Sequence, residues 1–278
     1  MTPLSEKNGD ISARNHQPRK SKNSIRNRPL IIATGLFLFF ATAVVVVWQN
    51  SRLAVLWDLS YVLENAFRIS IGDVPYRDFP FPYAPVTFLI QAAIIKLTGR
   101  VFWHTIVYCA IVGAAATLLT WRIVLNLLRD RIPHARSLGF VLSLPLIVLG
   151  IYCVFPHPFY DPDCTLLILL AVLLLQRADR KPTSILQSLL AGIAIILPLF
   201  VKQNTGLVFL LAASGGISLL AVIEKLRGES IRRYNVILIS AAVAIGLALF
   251  LIQVTVGLTN YWHWTIQFAA ARRFPRNK

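Results

Sequence analysis

The chain has 278 residues, of which 56% are hydrophobic and only 14% charged, with mean hydropathy +0.64. Soluble domains carry about 25% charged residues, so a multi-spanning membrane protein is the class that this composition admits. The net charge of +16 does not point to nucleic acid, because the basic residues flank apolar runs and bring no aromatic platform for bases.

The chain opens on a basic tail (1–29), read as cytoplasmic and disordered, with Lys7, Arg14, Arg19, Lys20, Lys22, Arg26 and Arg28 ahead of "PLIIATGLFLFFATAVVVVW". No small-residue cleavage site follows this run, so it is expected to stay as an anchor. Further apolar runs cover 101–128, 138–155, 163–177, 185–201, 204–223 and 235–257, and about 20 such residues cross a bilayer as a helix. The fold expected is all-α and integral to the membrane, with seven spans over residues 30–257. The basic connections "RDRIPHAR", "RADRK" and "EKLRGESIRR" set the orientation, since Lys and Arg concentrate in cytoplasmic loops. The N-terminus is then inside and the C-terminus outside. An eighth run, 84–98, is short for a span, and crossing there would turn every later basic loop outward. It is read as a helix at the outer interface.

Between the first two spans, an outer loop (50–100) carries "DLSYVLENAFRISI". Leu59, Val62, Leu63, Ala66 and Phe67 recur at helical spacing opposite Ser60, Glu64 and Arg68, which predicts an amphipathic surface helix over 58–71. Asp58 stands at its start as an N-cap candidate, and Gly72 with Pro75 ends it. "GDVPYRDFPFPYAP" (72–85) follows as a proline-stiffened link to the second surface helix. Residues 258–278 are expected to form an outer juxtamembrane helix.

Six of the 12 acidic residues (Asp58, Glu64, Asp73, Asp78, Asp161 and Asp163) fall in the first two outer loops. A proton relay of a transporter would place such groups within spans, whereas a site acting on a lipid headgroup needs them at one face. Asp161 and Pro162 also suit a helix start, and Arg77 can neutralise Asp78. The grouping of His157, Asp161 and Asp163 allows a divalent cation, without a spacing that demands one. Lys202, in "LFVKQNTGL", lies on the side where a lysine is disfavoured. Either it snorkels to the interface, or it meets an anionic ligand such as a lipid phosphate, with Gln203 and Asn204 adding hydrogen bonds. Cys109 reads as a buried thiol. Cys153 and Cys164 would pair only if their loop faced an oxidising compartment, and two unpaired thiols is the preferred reading.

"WDLSYVLENAFRISIGDVPYRDFPFPYAP" resembles the first outer loop of the GT-C glycosyltransferases. Nearest in pattern are the bacterial relatives of protein mannosyltransferases and of the lipid A aminoarabinose transferase, in which an acidic residue, an amphipathic helix and a G-x-x-P-Y-R-D-F turn precede a second surface helix. "FYDPD" is similar to that family's second acidic site, "VKQNTGL" to its K-x-x-x-G segment, and "YWHWTIQFAAARRFP" to the helix after the seventh span. The resemblance implies a bacterial inner-membrane enzyme that takes a sugar from a polyprenyl-phosphate donor, at the outer face, and passes it to a lipid, glycan or protein acceptor. It implies Asp58 as the base for the acceptor hydroxyl, Asp161 ahead of Asp163 as the second acid, and Lys202 at the donor phosphate. The outer placement of Arg77 beside a polar turn adds it to Lys202 at the phosphate, with Tyr76 and Gln203 as further substrate contacts. The pattern departs where Leu59 follows Asp58, since many relatives have Asp-Glu there. Relatives also continue for several more spans, so a second subunit or a missing C-terminal half is expected. Outside the resemblance, a non-catalytic lipid-carrier-binding or assembly protein and a transporter or flippase are the competing classes.

Overall fold

The computed structural model describes residues 28–52, 56–155, 157–179 and 184–273. The predicted tail lies outside these residues except for Arg28 and Pro29. Among the described residues every regular element is helical, and pairing of strand type is limited to one bridge between Pro75 and Phe79.

Helix α1 (Arg28–Asn50) has no charged residue after Arg28, and its 23 residues reach about 34 Å, enough for a hydrocarbon core of about 30 Å. Helix α2 (Leu56–Ser70) is the predicted amphipathic element, with Leu59, Val62 and Ala66 buried. It begins two residues earlier than expected, so Asp58 occupies its first turn and is not its cap. Gly72, at φ 113°, turns the chain out of the helix. Arg68 then closes the corner, its Nε 2.9 Å from Asp73 and its guanidinium 4.2 Å over the Phe79 ring.

The proline-rich link carries an aromatic core of its own. Tyr76, Phe79, Phe81 and Phe88 are buried together with Val62, and the Tyr76 hydroxyl donates to the Tyr83 carbonyl at 2.6 Å. Tyr76 holds φ 68°, unusual for a bulky residue, and this conformation turns its ring edge-on to Phe81 and Tyr261. Helix α3 (Val86–Thr98) follows Pro85 and has 13 residues, short of a span as expected.

Helix α4 (Phe102–Leu128) packs along α1. The expected span 138–155 is not one helix: α5 (Ala135–Ser143) and α6 (Leu146–Leu149) are separated at Leu144–Pro145, because proline lacks the N–H that continues a helix. Helix α7 (Tyr160–Ala178) lies between α4 and α8 (Ile185–Ile196). Helix α8 starts at a Ser184 cap, whose Oγ accepts from Gln187 N at 3.1 Å. It tightens into a 3₁₀ turn (Leu197–Phe200) at Pro198. Helices α9 (Gln203–Leu226) and α10 (Arg232–Thr255) complete the bundle, and α10 lies directly on α8. Gly192 permits that approach, since a Cβ there would meet the Ile237 carbonyl at 2.3 Å. The C-terminal segment is α11 (Leu258–Trp262), a π turn (His263–Gln267) and α12 (Phe268–Arg273).

Among the described residues, four helical segments are long and apolar enough to cross a membrane: Pro29–Asn50, Phe102–Leu128, Gln203–Leu226 and Arg232–Thr255. They leave large apolar side chains such as Val208, Leu211, Val243 and Phe250 exposed, which a soluble protein would not tolerate over such an area. The other three expected spans correspond to shorter, broken or more polar helices. Two ends of the bundle are distinct. At one, Arg233 donates to the Asp179 carbonyl at 2.9 Å and pairs with the Asp179 carboxylate at 3.3 Å and with Glu224 at 4.0 Å. It thereby ties the last turns of α7 and α9 to the first turn of α10. At the other end, the starts of α7 and α9 and the end of α10 meet the aromatic loop.

Candidate functional site

The second end holds the site. Lys202 is the extended residue, at φ −145°, between the 3₁₀ turn and α9, and its backbone N–H donates to the Pro198 carbonyl at 2.9 Å. Gly206, one turn on, sits against that turn so closely that a Cβ would lie 2.3 Å from the Leu199 nitrogen. The two segments therefore fix where Lys202 points. Gly206→Ala should force them apart, lowering stability by about 1–3 kcal/mol and displacing Lys202; thermal unfolding in detergent checks this, and an unshifted transition would contradict it.

The Lys202 ammonium donates to Asp161 Oδ1 in the first turn of α7 and lies 5.7 Å over the Tyr160 ring. The Lys202 side chain is 25% exposed and that of Asp161 45%, so the pair is accessible. Asp58 stands in the first turn of α2. Its charge acts on both the Tyr160 phenol and the His157 ring. Burial raises the Tyr160 hydroxyl, and Tyr83, Asp161 and Asp58 add to this.

Asp163 does not share this position. Two residues along a helix rotate a side chain by about 200°, so Asp163 faces inward, where it is 4% exposed. It accepts from Thr87 Oγ1 at 2.7 Å and from Tyr152 Oη at 2.7 Å, tying α3 and Tyr152 to α7. The same rotation separates the metal candidates: no group of three or more His, Cys, Asp or Glu among the described residues is arranged to hold a metal. His157 is buried between the rings of Phe155 and Phe159, with neither ring nitrogen hydrogen-bonded among the described residues. Burial pushes its pKa down, against the pull of Asp58, which favours the neutral ring.

Arg77 closes its own turn. Its Nε lies 2.9 Å from Asp78 Oδ1 and its Nη2 3.1 Å from Oδ2, and the Val74 N–H donates to the same carboxylate at 2.7 Å. Arg77 and this N–H hold the Asp78 carboxyl down to about 2. Tyr76 backs the site through Tyr261. The three cysteines are buried and unpaired.

Below the ion pair opens a cavity of about 1350 Å³. Tyr83, Tyr160, Lys202, Gln203 and Asn204 form its polar head, and Leu199, Phe200, Leu207, Ile245 and Leu249 its apolar walls between α9 and α10. Tyr261, Trp262 and Ile266 cover it from the C-terminal segment. The Gln203 Nε2 is buried without a partner among the described residues. A polar head on an apolar trough fits an amphiphile with an anionic group at Lys202. Tyr83, Tyr160, Trp262 and the α10 wall were not anticipated; the tyrosines of "PYAP" and "FYDPD" were visible in the sequence, but their facing one another was not. Comparison with known proteins returned no matching family model, no matching curated protein and no matching solved structure.

Proposed function

We propose that the protein transfers a sugar from a polyprenyl-phosphate-linked donor to an acceptor hydroxyl at the outer face of a bacterial inner membrane. The observation that carries this reading is the amphiphile-shaped cavity whose head holds Lys202, itself paired with Asp161. In the proposed step the acceptor oxygen bonds to the anomeric carbon as its proton passes to Asp58. The bond from that carbon to the phosphate oxygen breaks, its electron pair leaves on the phosphate, and Lys202 stabilises the added charge. Asp163 is assigned to holding the site together, and Arg77 to stiffening the loop beneath it. The test is release of polyprenyl phosphate from a polyprenyl-phosphate sugar by membranes containing the chain, against membranes lacking it; equal release would reject the reading.

The reading includes seven crossings with the N-terminus cytoplasmic and α2 and α3 on the outer surface. The two ends of the bundle support it, since α7 and α9 start at one end and α8 and α10 at the other, the latter carrying the basic connections. Cys109, Cys153 and Cys164 are buried, so single introduced thiols report cleanly. Thr98→Cys should react with an impermeant maleimide on intact cells, and Ser137→Cys only after permeabilisation. Labelling of Thr98→Cys from the cytoplasm alone would contradict the orientation.

A further inference from the structure

Lys202, a cation lining the cavity head, is already paired with an anion. Its ammonium is bonded to Asp161, and the Tyr160 ring, 5.7 Å away, covers another side of the same group. An ammonium has three donors and no second charge to offer, so a phosphate entering the cavity meets a cation already neutralised. The pair is accessible, Asp161 being 45% exposed, and such a pair is weak enough to exchange. Asp161 also sits in the first turn of α7, where the helix favours a carboxylate whether or not Lys202 is bound to it.

We infer that Asp161 is a built-in competitor for the lipid phosphate at Lys202: it returns to the ammonium as the phosphate leaves, and so keeps a product anion from being held in the cavity. The inference rests on the reading of the cavity as a site for a phosphate-bearing amphiphile. It assigns Asp161 to release of the lipid phosphate, separate from proton transfer at Asp58. Without such a competitor, the cation that stabilises the departing phosphate would also retain it.

The test uses the full chain in detergent and farnesyl phosphate as probe, with farnesol and inorganic phosphate in parallel. Lys202→Met should weaken farnesyl phosphate binding roughly tenfold and leave farnesol unaffected. Asp161→Asn should bind farnesyl phosphate about two- to fivefold tighter, the cost of opening an exposed pair, with slower dissociation. Asp161→Ser should do the same, which guards against a folding defect in either variant. In the Lys202→Met background, Asp161→Asn should change nothing. Unchanged or weaker binding by both Asp161 variants would overturn the inference, because Asp161 would then merely position Lys202. A gain that persists without Lys202 would also overturn it, as general repulsion. Farnesyl phosphate binding that ignores Lys202→Met, or inorganic phosphate binding as tightly as farnesyl phosphate, would instead remove the underlying reading of the cavity.

Discussion

Asp58→Asn is expected to reduce sugar transfer by about 10²–10⁴-fold, the range of a general base, while the protein stays folded. Asn keeps the size of the side chain and its position in the first turn of α2, but gives up the charge and nearly all affinity for a proton. Because Asp58 stands inside the helix and not at its cap, the structural cost is only the lost attraction between a carboxylate and the helix N-terminus, about 0.3–1 kcal/mol. Initial rates of polyprenyl phosphate release, read beside thermal unfolding of the same preparation, separate the two effects. An Asn variant with full transfer would remove Asp58 from the chemistry and favour a non-catalytic carrier-binding protein.

Asp163→Ala is expected to act in the opposite manner, on stability first. The Ala variant strips the acceptor from the Thr87 and Tyr152 hydroxyls, both bonded at 2.7 Å. The Tyr152 hydroxyl can still donate to the Phe159 carbonyl, 3.2 Å away, so the predicted loss is that of one unsatisfied buried donor at Thr87, about 1–3 kcal/mol. Asp163→Asn should lose less, since its amide oxygen accepts one hydroxyl and the other hydroxyl can turn to accept from the NH₂. A double-mutant cycle with Thr87→Val should show clear coupling. An Ala variant that unfolds at the wild-type temperature would mean that Asp163 does not tie α3 to α7.

Helices α2 and α3 were legible as short helical segments. The apolar stripe of Leu59, Val62 and Ala66 marks α2, and Pro85 with Gly99 brackets α3. The seven apolar runs were legible as runs but not as continuous helices. Hydropathy does not register the break that Pro145 puts between α5 and α6, or the tightening at Pro198, since both sit among residues as greasy as their neighbours. The choice between Asp161 and Asp163 was open for a related reason. Their spacing places them on opposite faces, but which face fronts the cavity depends on the packing of α7 against α4 and α8. That Lys202 and Asp161 pair beside Tyr160 is tertiary information, as is the aromatic core of the 72–85 loop, which reads in sequence only as a stiff connection. The inward turn of Tyr76 at positive φ, onto which Tyr261 packs, has no signal in a single sequence.

Under the proposed function, the trough between α9 and α10 holds the chain of a lipid phosphate whose head is at Lys202. Photocrosslinking with a polyprenyl phosphate bearing a diazirine a few carbons from the phosphate, mapped by mass spectrometry, tests this most directly. Adducts should fall on Leu207, Ile245, Leu249 and neighbouring wall residues, and should fade when unlabelled polyprenyl phosphate is added. Adducts spread over the exposed face of α1, with none on the α9 and α10 walls and no effect of competitor, would contradict it.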